Sequence, residues 1–257
     1  MQIARFIHGT DDPKYGILDG DDYVVLHGDP LFLGYETTGE RVPRAEVRLL
    51  APVIPRSKVI AVGRNYAAHA AEKGNAVPDH PLLFFKPNTS VIGPGDEIVI
   101  PEIAGTVEPE AELAIVISRV AKNVARADWA DVVFGYTVAN DVSSRTLQKA
   151  DGQWARAKGF DTFCPLGPVI ETELDLADTW VSSTINGEAA QRGNTRDFIF
   201  DVPYLIEYIT QAFTLLPGDV IITGTPAGVR PIVPGDSVTV SVAGIGDLTN
   251  PVVGAAN

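Results

Sequence analysis

Val107-Glu108-Pro109-Glu110-Ala111-Glu112-Leu113-Ala114-Ile115-Val116-Ile117 turns from acidic to aliphatic part-way along its length. From Ala111 the run is aliphatic and increasingly β-branched, which predicts a buried strand. Side chains alternate faces along a strand, so Glu110 and Glu112 point the same way, and Ala114 and Val116 continue that row. Leu113, Ile115 and Ile117 take the opposite face and are expected in a core. Two neighbouring carboxylates repel, and desolvating them is costly unless something positive sits between them. A hard divalent cation, Mg²⁺ or Mn²⁺, meets that need with oxygen ligands. The plainer alternative is a strand end whose acids face water. Glu108 shares the face but lies outside the apolar run and reads as a solvated strand entrance.

Upstream, Lys58 to Val62 predicts a strand running into Gly63-Arg64-Asn65-Tyr66. The alanines from Ala67 predict a helix that Gly74-Asn75 ends. His69 and Glu72 lie three apart and so share a face of that helix. A Glu beside a His raises imidazole basicity and fixes its orientation, as an acid–base dyad requires. An ordinary surface pair has the same spacing. Gly63, Gly74 and the polar stretch to Pro81 suit a mobile lid. Pro81 to Asn88 reads as a buried strand that ends in Lys86, a cation able to meet an acid, with snorkelling to the surface as its default.

Downstream, Ala121 to Asp131 reads as a short polar helix before the strand Val132 to Ala139. That strand ends at Asn140-Asp141, where Asp141 is placed to cap the following helix. It is also placed to serve as a third oxygen ligand at a strand end. Arg145, one turn on, is expected to pair with Asp141 or to clamp a carboxylate. Lys158 stands among apolar neighbours and predicts an anionic partner. The second half is richer in strands, with an Asn186-Gly187 hairpin turn and one amphipathic helix, Asp201 to Phe213, whose stripe is Leu205, Tyr208, Ile209 and Ala212. The loop Thr223-Gly224-Thr225-Pro226-Ala227-Gly228 is small enough for its N–H groups to approach an anion, or is simply a tight turn.

The first fifty or so residues read as short strands, with a hairpin at Asp19-Gly20-Asp21-Asp22 and a connector over Leu49 to Pro55. The expected organisation is a small β module over residues 1–52 and a main domain over 53–257. At 257 residues and 45% hydrophobic content the chain can bury a sizeable core. A net charge of −13 argues against nucleic acid or an anionic membrane as partner. The single cysteine, Cys164, excludes an intrachain disulfide and a multi-cysteine zinc site, and reads as a small buried hydrophobe. No run approaches the roughly 18 apolar residues of a membrane span. Nor does Met1 begin a basic segment followed by an apolar one, so a cytoplasmic protein is expected. His8, His27 and His80 receive no role.

Six ordered motifs resemble the fumarylacetoacetate hydrolase family across Val53 to Val253. They are Gly63-Arg64-Asn65-Tyr66 with His69 and Glu72, Glu110-Ala111-Glu112-Leu113-Ala114, and Asn140-Asp141-Val142-Ser143-Ser144-Arg145. Then come Ala157 to Phe163 with Pro165-Leu166-Gly167-Pro168, Thr214 to Asp219, and Thr223 to Val229. Arg230 departs from the glycine with which relatives often continue. The resemblance implies a mostly β fold with some α, a mixed β-sandwich or roll behind the N-terminal β module, usually as a homodimer. It implies Mg²⁺ or Mn²⁺ held by Glu110, Glu112 and Asp141, and a catalytic His69–Glu72 dyad on a lid. It makes Lys158 a substrate- or water-positioning cation and brings Arg64, Tyr66, Arg145 and Thr225 to the substrate.

The chemistry expected of such a site is a metal-stabilised pyruvate enolate formed from a 2-oxo acid. Cleavage of a C–C bond follows, by acylpyruvate or fumarylpyruvate hydrolysis or by oxaloacetate decarboxylation. The alternative enzyme is a 2-hydroxyhepta-2,4-diene-1,7-dioate isomerase or tautomerase of aromatic catabolism. A non-catalytic metal-binding protein is the alternative of another class, and it predicts a broken dyad or a missing ligand.

Overall fold

The computed structural model describes residues 1–255, so the last two positions of the span 53–257 lie outside the described residues. Among them, a twelve-stranded sheet runs through Gln2–His8, Cys164–Glu171, Val133–Asn140, Ala111–Ile117, Val220–Ile222, Val59–Gly63 and Leu82–Lys86 in that spatial order. A five-stranded sheet orders Glu188–Asn194, Trp180–Ile185, Ser237–Val242, Gly246–Gly254 and Ile98–Ile100. The fold is mostly β with short helices, as expected.

Ala111–Ile117 is buried along its whole length. Leu113, Ile115 and Ile117 share a core with Val181, Val238, Val240 and Leu248 of the smaller sheet. Ala114 and Val116 face the other way, onto Val59, Ala61, Ile222 and Leu166. Both faces of this strand are covered, which is why it reads as a continuous apolar run rather than an alternation. Each fully buried aliphatic side chain contributes roughly 1.5–3 kcal/mol to folding. That places the acidic end of the strand on a rigid support.

The N-terminal strands join the main sheet through Ile3 opposite Ile170. Several expectations need correction. Part of the expected connector is a strand, Val47–Leu50, paired with Gln2–His8. The polar helix is a 3-10 segment, Arg126–Val132. Leu82–Lys86 is an edge strand that exposes Leu82 and Phe85 and buries Lys86, so it is not buried throughout. The helix Val202–Ala212 forms with Asp201 as its N-cap, but its buried stripe is Val202, Leu205, Ile206 and Ile209. Among the described residues, no helix is long and apolar enough to cross a membrane.

Candidate active site

Pairing between Ala111–Ile117 and Val133–Asn140 sets Ala111 opposite Asn140, so Glu110 and Asp141 meet just beyond the last pair. The Asp141 N–H donates to Glu110 O at 2.9 Å, and the Glu110 N–H donates to Asn140 Oδ1 at 3.0 Å. On the other side, Ala114 lies opposite Ile222, which brings the loop after Val220–Ile222 level with Glu112. Gly224 of that loop donates its N–H to Glu112 Oε2 at 2.6 Å. Gly224 has φ +99°, and a Cβ there would meet Asn65 Cβ at 2.7 Å, so only glycine places the amide there. The anion reached by this loop is the protein's own carboxylate.

Glu110, Glu112 and Asp141 are each buried, and one oxygen from each lies within 4.8 Å of the others. Three cations hold the cluster together. Lys158 Nζ donates to Glu110 Oε2 at 2.7 Å, to Asp141 Oδ2 at 2.6 Å and to Ser143 Oγ at 2.7 Å. Arg145 donates from Nη2 to Glu110 Oε1 at 2.5 Å and from Nε to Glu108 Oε2 at 2.6 Å. Lys86 Nζ donates to Asp141 Oδ1 at 2.5 Å.

The ionisation follows from these contacts. Burial alone would raise the Glu110 carboxyl, but Lys158, Arg145 and His69 outweigh it and hold the group well below the usual carboxylate range. Burial pushes Glu112 well above that range, and the charges of Asp141 and Glu110 add to the rise. Burial opposes the Lys158 charge, yet Asp141 and Glu110 hold its ammonium above its ordinary value. Among the described residues no cationic side chain pairs with Glu112, whose one hydrogen-bond donor is the Gly224 N–H. The all-oxygen donor set and this missing charge both fit a hard divalent cation.

The helix Ala67–Glu72 lies over the cluster. His69 Nδ1 is 3.2 Å from Glu72 Oε2, and its Nε2 is 3.9 Å from Glu110 Oε1. With Glu72 accepting at Nδ1, the neutral ring turns the Nε2 lone pair toward the acids. Burial lowers the imidazole pKa despite Glu110 and Glu72, which favours that neutral form. Gly228 N–H donates to Glu72 Oε1 at 3.0 Å and steadies the carboxylate.

A cavity of about 800 Å³ opens above these groups, lined among others by Arg64, His69, Arg145, Gln148, Trp154, Lys158 and Thr225. Arg64 has φ +60°, a left-handed conformation costing about 1–3 kcal/mol for a non-glycine residue. Its guanidinium lies 5.8 Å from the Trp154 ring centroid. Thr225 Oγ1 donates to Ala111 O at 2.9 Å and accepts from Gln191 Nε2 at 2.6 Å.

Nine of the ten residues expected at the site line this cavity: His69, Glu72, Lys158, Arg64, Arg145, Thr225, Glu110, Glu112 and Asp141. Tyr66 does not. It packs edge-on against Phe198 at 5.1 Å, with its hydroxyl unpartnered among the described residues. Asp141 does not cap a helix either, since Ser144 fills that role for Arg145–Asp151. Arg145 pairs with Glu108 and Glu110 rather than with Asp141. Glu108 is no solvated entrance: it is 7% exposed and held by Lys73 and Arg145. Lys86 does not snorkel but lies fully buried against Asp141. The reasoning applied to Lys158, a cation among apolar neighbours, applies to Lys86 in Leu82-Leu83-Phe84-Phe85-Lys86 and identifies it equally well.

Residues 58–253 match the family described as fumarylacetoacetate (FAA) hydrolase, C-terminal. The chain belongs to the fumarylacetoacetate hydrolase family. Residues 1–52 match a second description, Rv2993c-like, N-terminal. Among relatives of this family member is the human mitochondrial oxaloacetate tautomerase FAHD2A, 42% identical over 82% of this chain and 71% of its own. A solved 2-hydroxyhepta-2,4-diene-1,7-dioate isomerase from Mycobacterium marinum is 43% identical, with a TM-score of 0.92 and full coverage of both chains. A maleylpyruvate hydrolase from Sphingobium sp. SYK-6, solved with manganese(II) and pyruvate, is 32% identical, with a TM-score of 0.81 and again full coverage of both. These relatives of the family are enzymes.

Proposed function

We propose that this member of the family is a divalent-metal-dependent enzyme of 2-oxo acids with a β-dicarbonyl grouping, cleaving the C–C bond beside the pyruvyl unit. The reaction is hydrolysis of an acylpyruvate such as fumarylpyruvate, or decarboxylation of oxaloacetate. The observation that carries this reading is the placement of His69 Nε2, 3.9 Å from Glu110, over three buried carboxylates. Glu110, Glu112 and Asp141 would hold Mg²⁺ or Mn²⁺. When bound, that ion supplies a Lewis acid where negative charge develops on the 2-oxo oxygen.

The chain's own residues do the rest. Lys158, whose ammonium is engaged by Glu110, Asp141 and Ser143, offsets the charge that develops beside the cluster. Arg145, fixed by Glu108 and Glu110, adds positive potential beside it. Glu72 holds the His69 ring so that Nε2 takes a proton from water, which attacks the distal carbonyl. The C–C bond breaks, its electron pair passes to the pyruvyl carbon, and that carbon takes up a proton. For oxaloacetate, carbon dioxide leaves without attack by water. Thr225, braced by Gln191, lines the cavity beside the carboxylates.

A second reading, keto–enol tautomerisation or double-bond isomerisation, uses the same dyad to move a proton without cleavage. It is favoured by the names of the relatives at 42–43% identity, a tautomerase and an isomerase, against 32% for the hydrolase. A non-catalytic metal-binding protein is disfavoured, because the dyad and the three acids occur together in one cavity.

The test is to supply oxaloacetate, acetylpyruvate and fumarylpyruvate with and without Mg²⁺ or Mn²⁺, following pyruvate and carbon dioxide separately. Pyruvate without carbon dioxide from an acylpyruvate supports hydrolysis, and pyruvate with carbon dioxide from oxaloacetate supports decarboxylation. Metal-dependent loss of the enol with no pyruvate from any compound transfers the assignment to isomerisation. Turnover indifferent to metal removal overturns the proposal.

A further inference from the structure

Each carboxylate of the cluster has one oxygen tied to a partner that the fold itself fixes. Asp141 Oδ1 accepts from Lys86 Nζ at 2.5 Å, Glu110 Oε1 from Arg145 Nη2 at 2.5 Å, and Glu112 Oε2 from the Gly224 N–H at 2.6 Å. The remaining oxygens are Asp141 Oδ2 and Glu110 Oε2, both on Lys158, and Glu112 Oε1, which accepts no hydrogen bond among the described residues. Each acid thus has one oxygen outside these fixed contacts, and a cation that displaced the Lys158 ammonium from two of them would meet one oxygen from each.

Lys86 differs from the other cations around the cluster. It belongs to Leu82–Lys86, is paired in register with Val59, and has a side chain that is 0% exposed. It is not part of the cavity lining, whereas Lys158 and Arg145 are. Asp141 is its sole ion-pair partner among the described residues. Lys86 therefore lies outside the cavity, and among the described residues Asp141 is the one acid its ammonium contacts.

We infer that Lys86 is a positioning residue that withholds one oxygen of Asp141 and thereby makes the site select small six-coordinate cations, Mg²⁺ or Mn²⁺, over Ca²⁺. This rests on the reading of the three acids as a metal centre. Mg²⁺ demands near-octahedral geometry, whereas Ca²⁺ takes six to eight oxygens and gains from two-oxygen carboxylates. One oxygen from each of Glu110, Glu112 and Asp141 would leave room on such a cation for a 2-oxo acid. With Lys86 gone, Asp141 Oδ1 is released, so a cation that displaced Lys158 from Oδ2 would meet both oxygens, as the higher coordination number of Ca²⁺ favours.

The test is calorimetric titration of the metal-free protein with Mg²⁺ and, separately, Ca²⁺, for the wild type, Lys86→Met and Lys86→Gln. The Gln side chain is a bond shorter than Lys and polar enough to survive burial, so it covers the case in which the Met variant does not fold. The wild type is expected to prefer Mg²⁺, and the Ca²⁺-to-Mg²⁺ affinity ratio to rise about tenfold in the variants. Removal of a nearby positive charge, acting through charge alone, would tighten both metals together. An unchanged ratio in a folded variant overturns the role of Lys86 and leaves the metal centre standing. If the wild type binds neither ion, the metal centre itself falls, and this inference with it.

Discussion

Lys158 Nζ bridges Glu110 Oε2 at 2.7 Å and Asp141 Oδ2 at 2.6 Å, so one ammonium holds together two acids that would otherwise repel. The lysine is 2% exposed, and removing it leaves two buried charges facing each other. Breaking a buried pair in this way costs about 3–5 kcal/mol. Lys158→Met is expected to lose stability of that order in chelator-treated protein, measured by denaturant unfolding. Added Mg²⁺ should restore part of the loss, since a cation then replaces the missing charge. Equal stability of variant and wild type without metal would mean that the bridge contributes little.

His69 touches Glu72 and overhangs Glu110 but is not itself one of the three clustered acids. His69→Ala is expected to lower kcat for acylpyruvate cleavage by about 10²–10⁴-fold, the usual worth of a positioned acid–base group. Its Mg²⁺ affinity should stay within a few fold of wild type. Stopped-flow kinetics and calorimetry on the same preparation separate the two effects. Cleavage at the wild-type rate would remove the imidazole from the mechanism.

The strand Ala111–Ile117 was legible because burial on both faces leaves an unmistakable aliphatic run, and period-two alternation then aligns Glu110 with Glu112. His69 and Glu72 were legible from helical spacing. Position 141 was legible as a strand end, but not its partners, because those come from elements far away in sequence. Lys86 reaches it from Leu82–Lys86, and Lys158 from the short helix Ala155–Lys158. A lysine's long stem is compatible with a snorkelled head or a buried one, and only the register with Val59–Gly63 decides between them. Tyr66 bridges to Phe198, a contact across more than half the chain that local spacing does not reveal. The pairing of the N-terminal strands with Cys164–Glu171 is equally remote in sequence.

Glu108 and Arg145 form the ion pair that local spacing hid. The guanidinium is shared between Glu108 and Glu110, so loss of Glu108 frees Arg145 to shift on Glu110. A double-mutant cycle of Glu108→Gln and Arg145→Gln is expected to give a coupling energy of roughly 1–3 kcal/mol in unfolding stability. KM for the 2-oxo acid should rise in either single variant, because Arg145 loses its fixed orientation. Additive effects within experimental error would mean that the two residues act independently.

Burial pushes the Cys164 thiol up to about 12 from its ordinary 9.0. The folded protein therefore holds this proton at pH values where the unfolded chain releases it. That preference contributes fully to stability below about pH 9 and is lost as pH rises through about 12. Denaturant unfolding across that window should show wild type losing stability relative to Cys164→Ala, with a constant difference below it. Iodoacetamide at about pH 8, where a free thiol is partly ionised, should label the native protein only as fast as it unfolds. Labelling of native protein at the rate of a free thiol would place Cys164 within reach of solvent, against its position between Val91 and the acidic cluster.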